Sequence, residues 1–268
     1  MSKTTHNYAS LLKDLRALGI KPEDTLLVHS SMKSIGEVEN GADCVLDVLS
    51  DYLKDRGLLV FPTLTSSNVN AEKPEFSLLH TVSQVGLLPE LFRQRKCVYR
   101  SLHPTHSVAA LGKEAEEFVA GHENFDSPAA YDSPWHRLWQ RKAKTMFIGC
   151  SIKCNTFLHG VEEWAQAEEV LSIEKQQLYI VDANGKRSLR PSRRHTGKHS
   201  RYYGKVEPHF EKIGALQRGR FGDAETIVLD NDGCAQYVCK LLKKYPAAFT
   251  EKWNNDKPGF FAECLAEL

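Results

Sequence analysis

The strongest constraint on the fold is an alternation near the N-terminus. "DTLLVHSSM" (24–32) is an apolar run that stops abruptly at small polar residues, and "ADCVLDVLSDYL" (42–53) places Val45, Leu46, Leu49 and Leu53 on one helical face. "GLLVFPTLT" (57–65) is a second apolar run that again ends in hydroxyl residues. Strand, helix, strand in that order is a β-α-β unit, and strands without polar alternation belong to a sheet covered on both faces. Further strands are expected at "HSVAAL" (106–111), "KTMFIGC" (144–150) and "ETIVLD" (225–230), the last followed by a closing helix, "CAQYVCKLLKKY". An amphipathic helix is expected over 7–19, from Tyr8, Leu11, Leu12, Leu15 and Leu18 with Gly19 as its stop. The expected class is α/β: a mostly parallel central sheet flanked by helices, with a smaller irregular or antiparallel subdomain inserted around 170–210. One domain spans 1–268. The insert begins with "QLYIVD", turns at Asn184-Gly185 and continues into a basic, poorly periodic loop.

Composition narrows the partners. A net charge of +1 over 268 residues gives no global attraction to nucleic acid or membrane. No apolar run approaches the ~20 residues of a membrane helix. The seven cysteines are odd in number and irregularly spaced, and "MSKTTHNYAS" has no apolar signal core, so a reduced, cytoplasmic protein is expected.

In a sheet of this kind ligands bind beyond the carboxyl ends of the strands, so His29-Ser30-Ser31 and Thr63-Leu64-Thr65 should share one functional edge. "HSSMKSIG" (29–36) offers hydroxyls, backbone N–H groups and one lysine to an anionic or amide-rich ligand, and the same residues describe an ordinary polar loop. "SLHPTHSVAALG" (101–112) sets His103 and His106 three apart. A zinc set with Cys150 and Cys154 lacks the usual tight, repeated spacing, and a cysteine nucleophile paired with His159 stays a minor alternative. "NTFLHGVEEWA" (155–165) carries the strongest local chemistry. On a helix starting near Thr156, His159 and Glu162 share a face while Glu163 and Trp164 point elsewhere. An imidazole beside a carboxylate is a general-base arrangement, and equally an i,i+3 surface pair.

Taken together, "LLVHSSMKSIG", "VFPTLT", "VGLLPELFR", "RSLHPTHSVAALG", "DSPWHRL", "FIGCSIKCNTFLHGVEE" and "GRFGDAET" stand in the order of one family. The chain resembles the aminoglycoside 3-N-acetyltransferases, which are distinct from the GNAT acetyltransferases. The resemblance covers about 8–245. It implies an enzyme that binds acetyl-CoA as cosubstrate and passes the acetyl group directly to an amine, with no metal. The family's Leu-His-x-x-Glu motif falls on Leu158 to Glu162, making His159 the general base. A Phe-Glu-x-Ile segment falls on Phe210 to Ile213, making Glu211 the orienting carboxylate, with Glu162 completing the triad or holding the substrate ammonium. Ser30, Ser31, Lys33, Ser34, Ile35 and Gly36 are the implied coenzyme loop. Thr65 and Ser107 are implied to line the pantetheine channel, Thr105 to border it, and His103 and His106 to shape the loop.

The implied partner is a small-molecule amine acceptor, with no nucleic acid and no membrane, and a homodimer is among the open assembly states. One stretch departs from the family. Where members that act on aminoglycosides are rich in Asp and Glu, this chain has "GKRSLRPSRRHTGKHSRYYGK" (185–205). Its sign is wrong for gripping a polycation unless the side chains face solvent, which is the ordinary fate of a charge run. Contact with coenzyme phosphates, or recognition of an anionic amine-bearing acceptor, are the alternatives. A catalytically silent coenzyme-binding relative is a further one.

Overall fold

The structure, a computed structural model, describes residues 5–267. The first four residues of the segment read for a leader lie outside them. Twelve strands are described: β1 (Thr5–His6), β2 (Thr25–Ser30), β3 (Glu37–Val38), β4 (Leu58–Pro62), β5 (Glu75–Ser77), β6 (Tyr99–Arg100), β7 (Val108–Gly112), β8 (Lys144–Ile148), β9 (Tyr179–Val181), β10 (Arg187–Leu189), β11 (Leu216–Phe221) and β12 (Ala224–Asp230).

Seven of them form the central sheet in the order β11-β12-β8-β2-β4-β7-β6. β8, β2 and β4 run parallel, in the register Leu26↔Lys144 and Leu26↔Leu59, whereas β12, β11, β7 and β6 join antiparallel. The class is the expected α/β, but within this sheet parallel pairing is confined to the three middle strands. Direction is what the apolar runs conceal: β7 and β12 are buried in either orientation, so their patterns are silent on it.

Alternate residues feed two cores. Leu26, Val28, Leu59, Phe61, Met146 and Ile148 face the helices Tyr8–Ala17 and Gly41–Leu53. Leu27, Val60 and Phe147 face the helices Thr156–Trp164 and Asn231–Lys244. The first helix begins at an Asn7 cap whose side chain accepts from the Ser10 N–H while Ser10 returns the bond, and it buries Leu11 and Leu15. Gly57 sits where a Cβ would lie 2.4 Å from the Asp24 carbonyl, so β4 can enter the sheet beside β2 only without a side chain there. Among the described residues no helix is long and apolar enough to cross a membrane.

A second sheet, ordered β10-β9-β5, sits over a small cluster of Val69, Phe76, Leu178 and Ile180. β9 and β10 form a hairpin that turns at Asn184-Gly185, with Gly185 at φ +78°. β5 pairs parallel to β9, a strand of three residues too short to leave a periodic signal. Bridges between Leu171 and His195 and between Gln176 and Ser192 extend the hairpin into an antiparallel ribbon. That ribbon returns the chain to the end of the helix Thr156–Trp164.

Candidate active site

β2, β4 and β8 are parallel, so Ser30, Pro62 and Ile148 end at one edge of the sheet. Beyond β8, Gly149 adopts φ +62°, and a Cβ there would lie 2.3 Å from Ser34 Cβ. The chain then makes a short 3-10 turn over Ile152–Cys154, and the Asn155 side chain caps the next helix by accepting the Phe157 N–H at 3.1 Å. Phe157, Leu158 and Val161 go into the core, which fixes the helix's phase and turns His159 and Glu162 to a common side.

Glu162 is fully buried, and three donors converge on it. His159 Nδ1 lies 3.1 Å from Oε2, Tyr203 Oη 2.7 Å from the same oxygen, and His199 Nδ1 2.9 Å from Oε1. Burial by itself would raise this carboxyl, but the hydrogen bonds and charges of His159 and His199 outweigh it and hold it down to about 2. A carboxylate accepts only, so the proton on each contacting imidazole sits on Nδ1. In His159 this leaves Nε2 with a lone pair. Tyr203 Oη also lies 2.8 Å from His159 Nδ1; burial, then the Glu162 charge, push the phenol well above its usual range, so it remains a donor.

His159 is one-fifth exposed and opens into a cavity of about 220 Å³ with Thr105, His106, Thr156, Gln176, Arg194, His195 and Ser200. His195 stacks on His159 at 4.5 Å and 24° and donates Nε2–H to Glu163 Oε1 at 2.7 Å. Glu163, which also accepts from Ser127 Oγ and the Ala129 N–H, thus supports the second imidazole. His106 meets His195 edge-on at 4.9 Å. Burial, then the neighbouring imidazoles, lower both His106 and His195, so each is neutral at pH 7. His103 plays another part. Its Nδ1 accepts the N–H groups of Thr105 and His106 at 3.2 and 3.0 Å, so it folds the turn itself.

Other residues implied by the resemblance are placed differently. Glu211 does not reach His159: it is 45% exposed on the helix Glu207–Lys212 and pairs with Arg218 at 2.6 Å. His209 and Phe210 are the buried residues of that helix, and one step along a helix turns the next side chain by roughly 100°. Thr65 and Ser107 are fully buried and line neither cavity at this edge. Thr65 Oγ1 donates to the Pro104 carbonyl at 2.6 Å and Ser107 Oγ to the Thr63 carbonyl at 2.8 Å, while Leu64, Ser66 and Thr105 take the cavity wall. A strand-end hydroxyl reads alike in sequence whether it faces a cleft or closes the sheet.

The segment Ser30 to Gly36 folds as a tight turn in which Ser31 N–H reaches the Ile148 carbonyl and Ser34 Oγ donates to Ser31 Oγ. Ser34 lines a larger cavity, about 810 Å³, with Gly149, Cys150, Ser151 and the β11–β12 hairpin. Ile35 is fully buried and its carbonyl accepts the Asp223 N–H; Gly36 lies where a Cβ would strike the Asp223 carboxylate. These two hold the turn in place. Ser30 Oγ is buried without a hydrogen-bond partner, Lys33 is exposed, and Arg220 faces the cavity. Hydroxyl, amide N–H and guanidinium donors fit the phosphates and amides of a coenzyme A chain. The zinc alternative finds no support in geometry, since Cys150 lines the large cavity and His106 the small one, and among the described residues no three potential ligands come together.

His195, His199 and Tyr203 were not singled out by sequence reasoning. They stand in "HTGKHSRYYG", and the signal was there in two histidines and two tyrosines within nine residues, masked by the surrounding cations.

Known proteins place this architecture. Residues 27–243 match the aminoglycoside 3-N-acetyltransferase family. Aminoglycoside N(3)-acetyltransferase VII of Streptomyces paromomycinus is 31% identical over 189 residues, 64% of this chain and 65% of that enzyme, so the match spans just under two thirds of that relative. Aminoglycoside N(3)-acetyltransferase IX of Micromonospora chalcea is 28% identical over 81% of this chain and 86% of its own length. The crystal structure of aminoglycoside acetyltransferase AAC(3)-Xa superposes with a TM-score of 0.79 at 25% identity, covering 90% of this chain and 94% of that one. With the family match running from β2 and the turn that follows it through the His159 helix to the closing helix, the chain belongs to the aminoglycoside 3-N-acetyltransferase family of enzymes.

Proposed function

We propose that this protein is an acetyl-CoA-dependent N-acetyltransferase in which His159 is the general base and Glu162 its orienting carboxylate. The observation that carries the reading is the fixed tautomer: a buried, ionised Glu162 holds the His159 proton on Nδ1 and leaves Nε2 free in the small cavity. Acetyl-CoA supplies the thioester. As the acceptor nitrogen bonds to the acetyl carbon, His159 Nε2 takes the proton that the nitrogen sheds. The imidazolium is stabilised by Glu162, and its proton passes to the coenzyme sulfur as the C–S bond breaks. Tyr203 and His199 keep the carboxylate from rotating. Ser34 and Arg220, which line the larger cavity, would hold the coenzyme, with Ser30 and Lys33 of the same turn beside them and the segment 149–156 bordering both cavities.

The reading places the reaction in one domain spanning the chain, to which the ribbon around 170–210 is an insert. It also places the protein in the cytoplasm, in keeping with seven free cysteines. The test is thiol release from acetyl-CoA with a panel of amines. His159→Ala should cut kcat by at least about a hundredfold with coenzyme affinity nearly unchanged, the range expected for a lost general base. A variant with wild-type turnover would rule His159 out.

A further inference from the structure

The acceptor cavity differs in charge and size from what a polycationic antibiotic requires. Its lining contains no carboxylate side chain. The two acids directly behind its wall are buried and already bound: Glu162 by three donors, and Glu163 by His195, Ser127 Oγ and the Ala129 N–H. One charged side chain lines it, Arg194, which is exposed and has no hydrogen-bond or ion-pair partner among the described residues. Of the eight lysines and arginines in 185–205, Arg193 pairs with Asp126, Arg187 with Glu75, and Lys205 donates to Asn254. Arg194 is the one of the eight that lines the cavity beside His159.

At about 220 Å³ the cavity is also smaller than the ~300 Å³ at which pockets for drug-sized ligands begin. The adjacent cavity, about 490 Å³, does contain acids, but Asp126 is paired with Lys175 and Arg193, and Glu163 with His195. Glu169 alone is left there without a partner among the described residues, and one acid cannot balance several ammonium groups.

We infer that the acceptor is a small primary amine carrying one acidic group, carboxylate or phosphate, with Arg194 as the residue that binds the acid while the amine faces His159. The inference rests on the N-acetyltransferase reading for its reaction but concerns binding alone. A guanidinium forms bidentate, charge-assisted hydrogen bonds with either oxyanion, and Gln176 and Ser200 add neutral donors nearby. His106 and His195, both held neutral by burial, complete the wall beside His159 and bring no charge that would repel an ammonium.

The test is calorimetric binding to the full chain saturated with coenzyme A. 5-Aminovalerate is compared with n-pentylamine, O-phosphoethanolamine with ethanolamine, and kanamycin with all four. At least one acidic amine should bind tenfold or more tightly than its neutral twin, the two arms separating carboxylate from phosphate. Arg194→Gln should bring that ratio close to one and Arg194→Lys should restore part of it. Lys198→Gln, an exposed cation outside the cavity lining, should leave it unaltered. Kanamycin binding more tightly than either acidic amine would overturn the inference, as would a preference that survives Arg194→Gln or is missing from both arms. Preferential binding without thiol release from acetyl-CoA would refute the transferase reading and leave the assignment of Arg194 standing.

Discussion

Replacing Glu162 by glutamine keeps the shape of the side chain and removes its charge. The carboxylate accepts from His159 and Tyr203 on one oxygen and from His199 on the other. An amide accepts on only one side; its NH₂ group must face a donor on the other, so one buried polar contact is lost and the rest become bonds between neutral groups. A hydrogen bond to a charged group is worth about 1.5–3 kcal/mol against about 1 for a neutral pair, and an unsatisfied buried donor costs about 1–3. Glu162→Gln should therefore destabilise the protein by about 3–5 kcal/mol, the range for breaking one partner of a buried ion pair. That is a large share of the ~5–15 kcal/mol that holds a domain together.

Urea denaturation at fixed pH reads this directly. The folded carboxyl is depressed to about 2, so its contribution is fully present above the unfolded value near 4.5 and is lost as pH falls toward 2. The stability gap between wild type and variant should stay level from pH 8 to 5 and narrow only below about 4.5. In the same preparation kcat should fall by about 10²–10⁴ with the KM for acetyl-CoA little changed. A variant within 1 kcal/mol of wild type, or a gap already closing between pH 7 and 5, would refute the argument. The second result would assign the titration to the histidines instead of to Glu162.

Two further substitutions test the same network from its edges. Tyr203→Phe deletes a buried hydroxyl donating to a charged acceptor, so it should cost about 1.5–3 kcal/mol in denaturant and lower kcat by less than His159→Ala does. Glu211→Gln touches only an exposed pair with Arg218; melting and turnover should both stay close to wild type, since such pairs contribute about 0–1 kcal/mol, and a large loss of kcat would return Glu211 to the site.

The sequence was most informative where local chemistry and burial agree. β2 and β4 were legible because an unbroken apolar run ending in hydroxyls has few other uses. The helix bearing His159 and Glu162 was legible because Asn155 caps it and Phe157, Leu158 and Val161 fix its phase. The Asn184-Gly185 hairpin followed from turn chemistry alone. Strand direction was hidden, since Val108 to Ala110 are buried in an antiparallel strand as they would be in a parallel one. β11, "LQRGRF", escaped because an edge strand with four exposed residues has no apolar pattern to find. Glu211 and Thr65 were misplaced for a related reason: one residue along a helix turns the side chain by roughly 100° and one along an extended chain reverses it, and a motif does not record that step. His199 and Tyr203 lie about forty residues from Glu162, a pairing that only tertiary structure can reveal.

That separation has a consequence for the order in which the molecule assembles. The helix Thr156–Trp164 places His159 beside Glu162 by its own geometry, but the other two groups holding Glu162 arrive on the far side of the ribbon. Closing a loop of this length costs about 3 kcal/mol of chain entropy. Until the ribbon docks, Glu162 has only His159 as a donor against an apolar core and is better hydrated than buried. Docking and burial of the charge are thus one event. The stretch of chain that carries Arg194 is, by the same geometry, the latch that completes the set of donors around Glu162 and so fixes the side chain that holds His159 Nδ1.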